Sequence, residues 1–402
     1  MEKSPLSRRV ISLAESQTIG MSKLSRELTA QGIDIVNLSL GEPDFVTPLH
    51  IREAAKKAID DGFTFYPPIA GFADLRKAIS EKFKRENNLD FAADQIIVST
   101  GAKQSIANVV LSLVDPGDEV IIPMPYWVSY IEIVKLSEGI TIPVKTNITS
   151  DFKITPEQLE AAITPKTKMF IFSSPCNPTG TVYTKSELEA LALVFKKYPR
   201  IYILSDEIYE HISFMGKHES IAQFDYLRDR MIVVNGVSKG FAMTGWRIGY
   251  IGAPKEIANA CEKMQGQITS GASSIAQKAT EAALTMDMKP TLDMQSAFLR
   301  RRDLLLSLLK DIPGIIVNKP EGAFYLFPDV SSYFGKTFEG KKINNATDLC
   351  MYFLHHAHVS LVTGDAFGDG NCIRISYAAA DERLVEAVKR IKKALSLLKI
   401  ED

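Results

Sequence analysis

Lys239 stands in a turn of small residues, Gly236-Val237-Ser238-Lys239-Gly240, directly after the β-branched run Ile232-Val233-Val234. Most lysines keep their ammonium in water. One held among glycines beside an apolar run is open to desolvation, which lowers its pKa and yields the neutral amine. Such an amine can condense with a carbonyl compound and hold it covalently. Arg247 lies eight residues on, heading a second apolar run, Ile248-Gly249-Tyr250-Ile251-Gly252. A guanidinium beside that lysine suits a planar, multiply charged anion such as a phosphate.

Further loops carry polar groups at the ends of apolar runs. Ser99-Thr100-Gly101-Ala102-Lys103-Gln104 follows Ile96-Ile97-Val98. A strand-to-helix junction there would turn free backbone N–H groups and the positive end of a helix toward an anion. Lys103 in a first turn opposes that dipole by ~0.3–1 kcal/mol. A local rule broken at a candidate site points to function, here an anionic group of a substrate; a solvated lysine is the plain alternative. In Ser174-Pro175-Cys176-Asn177-Pro178-Thr179-Gly180, prolines and a glycine fix a loop and present the Asn177 amide, although a simple turn asparagine would look the same. Asp206, in Ser205-Asp206-Glu207-Ile208-Tyr209, could pair with a heterocyclic nitrogen or cap a helix. In Cys372-Ile373-Arg374-Ile375-Ser376-Tyr377, strand alternation sets Arg374 on a face with Cys372 and Ser376. Burying that cation requires a partner, either a structural acid or a bound carboxylate.

The elements that must hold these residues follow from the hydrophobic pattern. Between residues 95 and 252, short apolar runs alternate with helical stretches: Ile96-Ile97-Val98, Val120-Ile121-Ile122, Met169-Phe170-Ile171-Phe172, Ile201-Tyr202-Ile203-Leu204, Ile232-Val233-Val234 and residues 248–251. That pattern predicts an α/β fold with a mainly parallel sheet covered on both faces. Functional loops then fall at the carboxyl ends of the strands. Upstream, the pattern predicts a helix over 23–30, a strand over 35–40, and helices over 48–60 and 74–86. The loop Tyr66-Pro67-Pro68-Ile69-Ala70-Gly71 separates the last two. Downstream come helices near 254–267 and 290–310. Strands at Val317, 323–327, 359–362 and 372–377 then predict a smaller α+β domain, closed by a helix over 382–398.

Composition narrows the function classes. With 402 residues, 46% hydrophobic, 24% charged and a net charge of −1, the chain has a globular composition and a core large enough for two domains. Nothing in that balance favours nucleic acid or an anionic membrane surface, and no run reaches the ~18 apolar residues of a membrane span. The first residues lack a signal-peptide apolar core. Cys176, Cys261, Cys350 and Cys372 lack metal or redox spacing and read as reduced thiols of a cytoplasmic protein. His355, His356 and His358 read as a helix end running into a strand, not as metal ligands. Gly236-Val237-Ser238-Lys239-Gly240 also fits the G-x-S-x-G elbow of a serine hydrolase, with one of those histidines as base, but no oxyanion segment accompanies it.

The fourteen residues 236–249, GVSKGFAMTGWRIG, resemble the pyridoxal-phosphate attachment motif of the class I aminotransferases. The likeness runs from about Leu6 to the final helix. It is nearest to bacterial-type aspartate aminotransferases of subgroup I-beta, which include aspartate- and glutamate-prephenate enzymes. The resemblance implies the type I fold of pyridoxal-phosphate transferases. Residues 46–285 would form the large cofactor domain, residues 1–45 and 286–402 the small one, and two chains would pair as a homodimer with shared sites.

The implied cofactor is pyridoxal 5′-phosphate, and the implied substrates are an amino acid and a 2-oxo acid: aspartate with 2-oxoglutarate, and prephenate as a further candidate. By resemblance Lys239 holds the cofactor and serves as general base, and Asp206 pairs with the ring nitrogen. Asn177 and Tyr209 bond the ring oxygen, and Trp127 stacks on the ring. Arg247, Ser238, Lys103 and the N–H groups of Gly101 and Ala102 surround the phosphate, while Tyr66 reaches that of the partner subunit. Arg374, with the Gly41 N–H, takes the substrate α-carboxylate; Trp127 and Asn177 border the substrate, and Lys103 and Thr18 take its distal carboxylate. One departure is visible: Gly236 stands where some relatives carry a phosphate-binding serine, for which Ser238 could substitute. β-Lyases and broad or aromatic aminotransferases share much of this pattern.

Overall fold

The computed structural model of the chain describes residues 5–14 and 17–400, the side chains of 17–19 excepted. Among these residues the centre is a seven-stranded sheet. Its spatial order is Ile96–Ser99, Gly249–Gly252, Met231–Gly236, Tyr202–Asp206, Thr167–Ser173, Glu119–Met124, Ile140–Lys145. Neighbours run parallel except at Gly249–Gly252, which is antiparallel to both its partners.

Each central strand feeds two cores, because successive side chains point to opposite faces. Val233 packs with Ile51, Leu75, Leu191 and Ala279 on one face; Ile232 and Val234 pack with Ile106, Val109 and Ile257 on the other. The helices Leu49–Asp60, Ala73–Lys82, Lys185–Lys197 and Ser274–Thr285 thus cover the first face, and Ala102–Leu113 and Lys255–Ile268 the second. This is the covered, mainly parallel sheet that the apolar runs predict.

A third core joins Val36 and Leu38 to Met294, Phe298, Tyr325 and residues up to Leu398. It is built on the helices Lys289–Leu309 and Asp381–Ser396. A small antiparallel sheet of Val362–Thr363, Ile373–Ser376 and Tyr325–Leu326 completes it. No helix among the described residues is long and apolar enough to cross a membrane.

Several boundaries differ from the expectation. The strand over 35–40 shrinks to Val36–Asn37, paired in parallel with Val359–Ser360. The run 359–362 splits, because Val362–Thr363 turns to pair with Ile373–Ser376 instead. Val317 belongs to no strand; its neighbour Ile316 makes an isolated bridge to Asp329. The helix over 74–86 widens into a π turn at Phe83–Asn87 and ends on left-handed Asn88, φ 56°. Some elements were absent from the pattern, two of them large. Ile140–Lys145 is an edge strand, half-exposed and containing Pro143, a residue edge strands tolerate. Ser274–Thr285 buries mostly Ala, Ser, Thr and Gln, so its apolar periodicity is faint.

Gly249 decides how closely the antiparallel strand approaches the first helix of the sheet. A Cβ there would lie 2.2 Å from the Ala102 nitrogen and 2.5 Å from the Gly101 carbonyl carbon. Both are backbone atoms, so nothing flexible can yield. Gly249→Ala is therefore expected to lower stability by about 1–3 kcal/mol, the usual cost of overpacking. A urea midpoint equal to that of the unsubstituted chain would contradict this close approach.

Candidate active site

The carboxyl ends of the parallel strands open into a cavity of about 360 Å³. Lys239 enters it from the turn after Met231–Gly236, where the Met243 N–H donates to the Ser238 carbonyl at 3.1 Å. The lysine is half-buried; its Nζ donates to the Gly41 carbonyl and lies 5.7 Å from the centre of the Tyr209 ring. Burial, then the nearby Arg374 guanidinium, lower its pKa from 10.5 to about 8. A usable fraction of neutral amine thus exists near neutral pH.

Ile96–Ser99 leads into Gly101, φ 83°, and the helix Ala102–Leu113, as the junction predicts. Arg247, itself left-handed at φ 57°, is anchored through Nη1 to the Thr244 carbonyl at 2.8 Å. A Cβ on Gly101 would fall 2.3 Å from Arg247 Nη2, so only glycine leaves the guanidinium room against this helix start. A helix N-terminus beginning at Ala102 and a guanidinium make a cradle fitted to a phosphate. The Gly101 N–H, expected to share in it, instead donates to the Ser99 carbonyl at 2.8 Å, which turns the chain into the helix. Lys103, exposed in the single chain, projects beside it with its Nζ 5.1 Å from the Trp127 ring centre; partial desolvation and then Arg247 lower its pKa.

Asp206 ends Tyr202–Asp206 and is followed by turns, not by a helix, so its capping role is replaced by another. One carboxylate oxygen accepts from the Tyr130 hydroxyl at 2.7 Å and the other from the Ile208 N–H at 3.3 Å. Burial pushes its pKa up to about 6 against those hydrogen bonds. A cationic heterocyclic nitrogen would relieve that desolvation.

Arg374 is buried with no carboxylate of the described residues in an ion pair with it. Nη1 donates to Asn177 Oδ1 at 2.9 Å and Nη2 to the Ser39 carbonyl at 2.7 Å, while Nε has no partner. Its guanidinium lies 4.6 Å from the Tyr325 ring centre, and Tyr325 shares a 2.7 Å hydrogen bond with the Tyr209 hydroxyl. A buried cation with an unused donor is what a substrate carboxylate would complete.

Of the described residues singled out for the site in the sequence, all but Gly101 and Tyr66 line this cavity. Gly101 stands just behind Arg247. Tyr66 is 96% exposed and borders a different surface hollow with Phe65 and Gly271. The Thr18 side chain lies outside the described residues. Gly236 cannot be exchanged for serine without strain, as a Cβ would approach the Ile248 carbonyl oxygen to 2.8 Å; Ser238 lines the cavity instead. The hydrolase arrangement is not assembled, because His355 and His356 line a separate hollow. Tyr130, Tyr325, Ser39 and Arg26 were missed. Only Tyr130 carried a signal, one helical turn after Trp127; the others are ordinary core or helix residues in the sequence.

Taken together, the donors fit a phosphorylated, planar, heterocyclic aldehyde: a phosphate cradle, a buried carboxyl for a ring nitrogen and a lysine amine. The model of the class I and II aminotransferases matches residues 33–391. The bifunctional aspartate aminotransferase and glutamate/aspartate-prephenate aminotransferase of Petunia hybrida is 48% identical, over 98% of this chain and 83% of its own. The aspartate aminotransferase of Rhizobium meliloti superposes with a TM-score of 0.95 at 42% identity, covering 99% of this chain and 100% of its own. That of Thermus thermophilus, solved with maleate, gives 0.92 at 40% identity, covering 98% and 100%.

Lys239 offers a direct check on the electrostatics. In the chain without cofactor, its modification by an amine reagent, followed by peptide mapping, is expected to rise with a midpoint near pH 8. A midpoint at the ordinary 10.5 would refute its desolvation. Because the folded chain disfavours the ammonium, the penalty is full below pH 8 and vanishes above 10.5, so the lysine's contribution to stability improves as pH rises between them.

Proposed function

The chain belongs to the class I and II aminotransferases, and from that premise we propose that it transfers the amino group of L-aspartate to 2-oxoglutarate, giving oxaloacetate and L-glutamate, with pyridoxal 5′-phosphate as cofactor. The observation that carries this reading is the convergence of Lys239, Asp206, Arg247, Arg374 and Lys103 on one cavity. A dicarboxylic substrate needs two anion sites at opposite ends, and Arg374 and Lys103 supply them. Maleate, solved in the Thermus thermophilus enzyme, is a four-carbon dicarboxylate like aspartate. Prephenate, which the Petunia enzyme's name includes, is also a dicarboxylate and falls within the same requirement.

Arg247 and the helix start at Ala102 would hold the phosphate, with Gly101 making room for the guanidinium. Asp206 would take the ring nitrogen, and Asn177 and Tyr209 the ring oxygen, with Trp127 against the ring. When bound, the cofactor supplies an electron sink for the pair left on Cα when its proton departs. Asp206 favours that state by keeping a proton on the ring nitrogen, and Tyr130 holds Asp206 in position. Arg374 grips the α-carboxylate in bidentate fashion and fixes the orientation of the Cα–H bond. Lys239 Nζ, neutral once the substrate amine has taken its covalent place, removes the Cα proton as general base. The tyrosine pair Tyr209–Tyr325 and the surrounding apolar walls keep water from that amine.

The reading extends to a homodimer acting in the cytoplasm, with residues 46–285 as the cofactor domain. Tyr66, exposed in the single chain, would then complete the phosphate site of the partner subunit.

Two substitutions test the assignment. Lys239→Ala is expected to abolish transamination measured by coupled oxaloacetate assay; activity above a trace removes the lysine from the mechanism. Lys103→Ala should lower kcat/KM for aspartate about 30-fold or more, the cost of truncating one partner of a desolvated charge pair. For phenylalanine the change should stay within about threefold. Equal losses for both amino acids would show that Lys103 does not read the side chain.

A further inference from the structure

Behind the Asp206–Tyr209 turn lies a buried set of charges that none of the roles above uses. Asp206, Ile208 and Tyr209 line the cavity, whereas Glu207, Glu210 and His211 make their contacts on the other side. Lys82 is fully buried; its ammonium touches the Glu210 carboxylate, donates to Asn87 Oδ1 at 2.9 Å and lies 3.6 Å from Glu86 Oε2. Asn87 Nδ2 donates to the second Glu210 oxygen at 2.8 Å. His211 Nε2 stands 3.0 Å from Glu86 Oε2 and 3.7 Å from Glu210. Burial works against ionising Glu210, but Lys82 and the histidines outweigh it and hold its pKa at about 2. Beside it His218 Nε2 faces Glu207 at 3.0 Å.

Glu86, Glu210 and His211 converge closely enough for a divalent cation. Lys82 already supplies the positive charge there, so a metal has no vacancy to fill. The cluster also touches the lysine turn. A Cβ on Gly240 would lie 2.7 Å from His211 Nδ1, and the imidazole stands edge-on to Phe241 at 5.2 Å. These two residues directly follow Lys239, so one imidazole is wedged between the charged cluster and the segment that presents the amine.

We infer that Lys82, Glu86, Glu210 and His211 form a positioning layer: through His211 they press the Lys239 turn against the Asp206–Tyr209 turn and keep the lysine amine dry. The inference rests on the functional reading of Lys239 given above. None of the four touches the cavity, so their effect reaches the reaction only through the two turns. Gly240 is part of the device, as any larger residue would displace the imidazole.

The test uses the full chain without cofactor and reads the pH midpoint of Lys239 modification beside the melting temperature. His211→Gln is expected to raise that midpoint by at least about half a pH unit, as water reaches the amine. Exposed lysines in the same digest should not move. A fall in melting temperature with an unmoved Lys239 midpoint would mark the cluster as packing alone and overturn the inference. If His211→Gln does not fold, Glu86→Gln decides by the same readout, since Glu86 is partly exposed and its loss only slackens the imidazole. A wild-type chain that keeps its low midpoint yet transaminates nothing would instead count against the aminotransferase reading alone.

Discussion

Five cationic side chains, Arg26, Lys103, Lys239, Arg247 and Arg374, line one cavity in which Asp206 is the only carboxylate of the described residues. Desolvation first, and then repulsion from neighbouring guanidinium groups, lower the pKa of Lys103 and Lys239. The fold spends stability to keep them there, and a polyanionic ligand returns it. A phosphate and two carboxylates would bring negative charge to the cradle, the clamp and the distal lysine. Desolvation draws the proton from Lys239 and the Arg374 guanidinium adds to it, so the cations that attract anions also assist in freeing the amine.

That crowding is sustained by backbone geometry. Gly249 lets the antiparallel strand lie against the Gly101-Ala102 junction, and Gly101 lets Arg247 lie against the same junction from the other side. Strand, helix start and guanidinium are therefore stacked at contact distance with no side chain between them. The opposite wall is different in kind: its turns are set by side-chain hydrogen bonds, from Tyr130 to Asp206 and between Tyr209 and Tyr325. One half of the pocket is rigid because glycines remove atoms, the other because hydroxyls add bonds.

The sequence disclosed the parallel sheet well, since its central strands are buried on both faces and read as unbroken apolar runs. Ile140–Lys145 escaped because an edge strand alternates and tolerates proline, and Ser274–Thr285 because small residues bury without a strong apolar period. The cofactor-side residues were legible as loops at strand ends, and the resemblance gave them roles. Tyr325 and Ser39 were not, because their part is defined by partners distant along the chain, Tyr209 at 116 positions from Tyr325 and Arg374 at 335 from Ser39. Local rules left Asp206 either as a helix cap or as the partner of a heterocyclic nitrogen, and only the resemblance chose the second; without a helix after it, the side chain is free to face inward. The buried Lys82 could not be foreseen from a helix that otherwise looks amphipathic and solvated.

Arg374 bonds to the Ser39 carbonyl across 335 positions of chain, and Ser376 pairs with Leu38 alongside. During synthesis the amino-terminal segment must therefore wait for its strand partner until some 335 further residues have been made. At ~5–20 residues per second that interval is roughly 20–70 s. The lysine turn and the phosphate cradle can form earlier, from residues already emerged. A nascent molecule would thus acquire its grip on a cofactor well before it could grasp an amino acid, and a chain stalled short of Arg374 would be a holder without a customer.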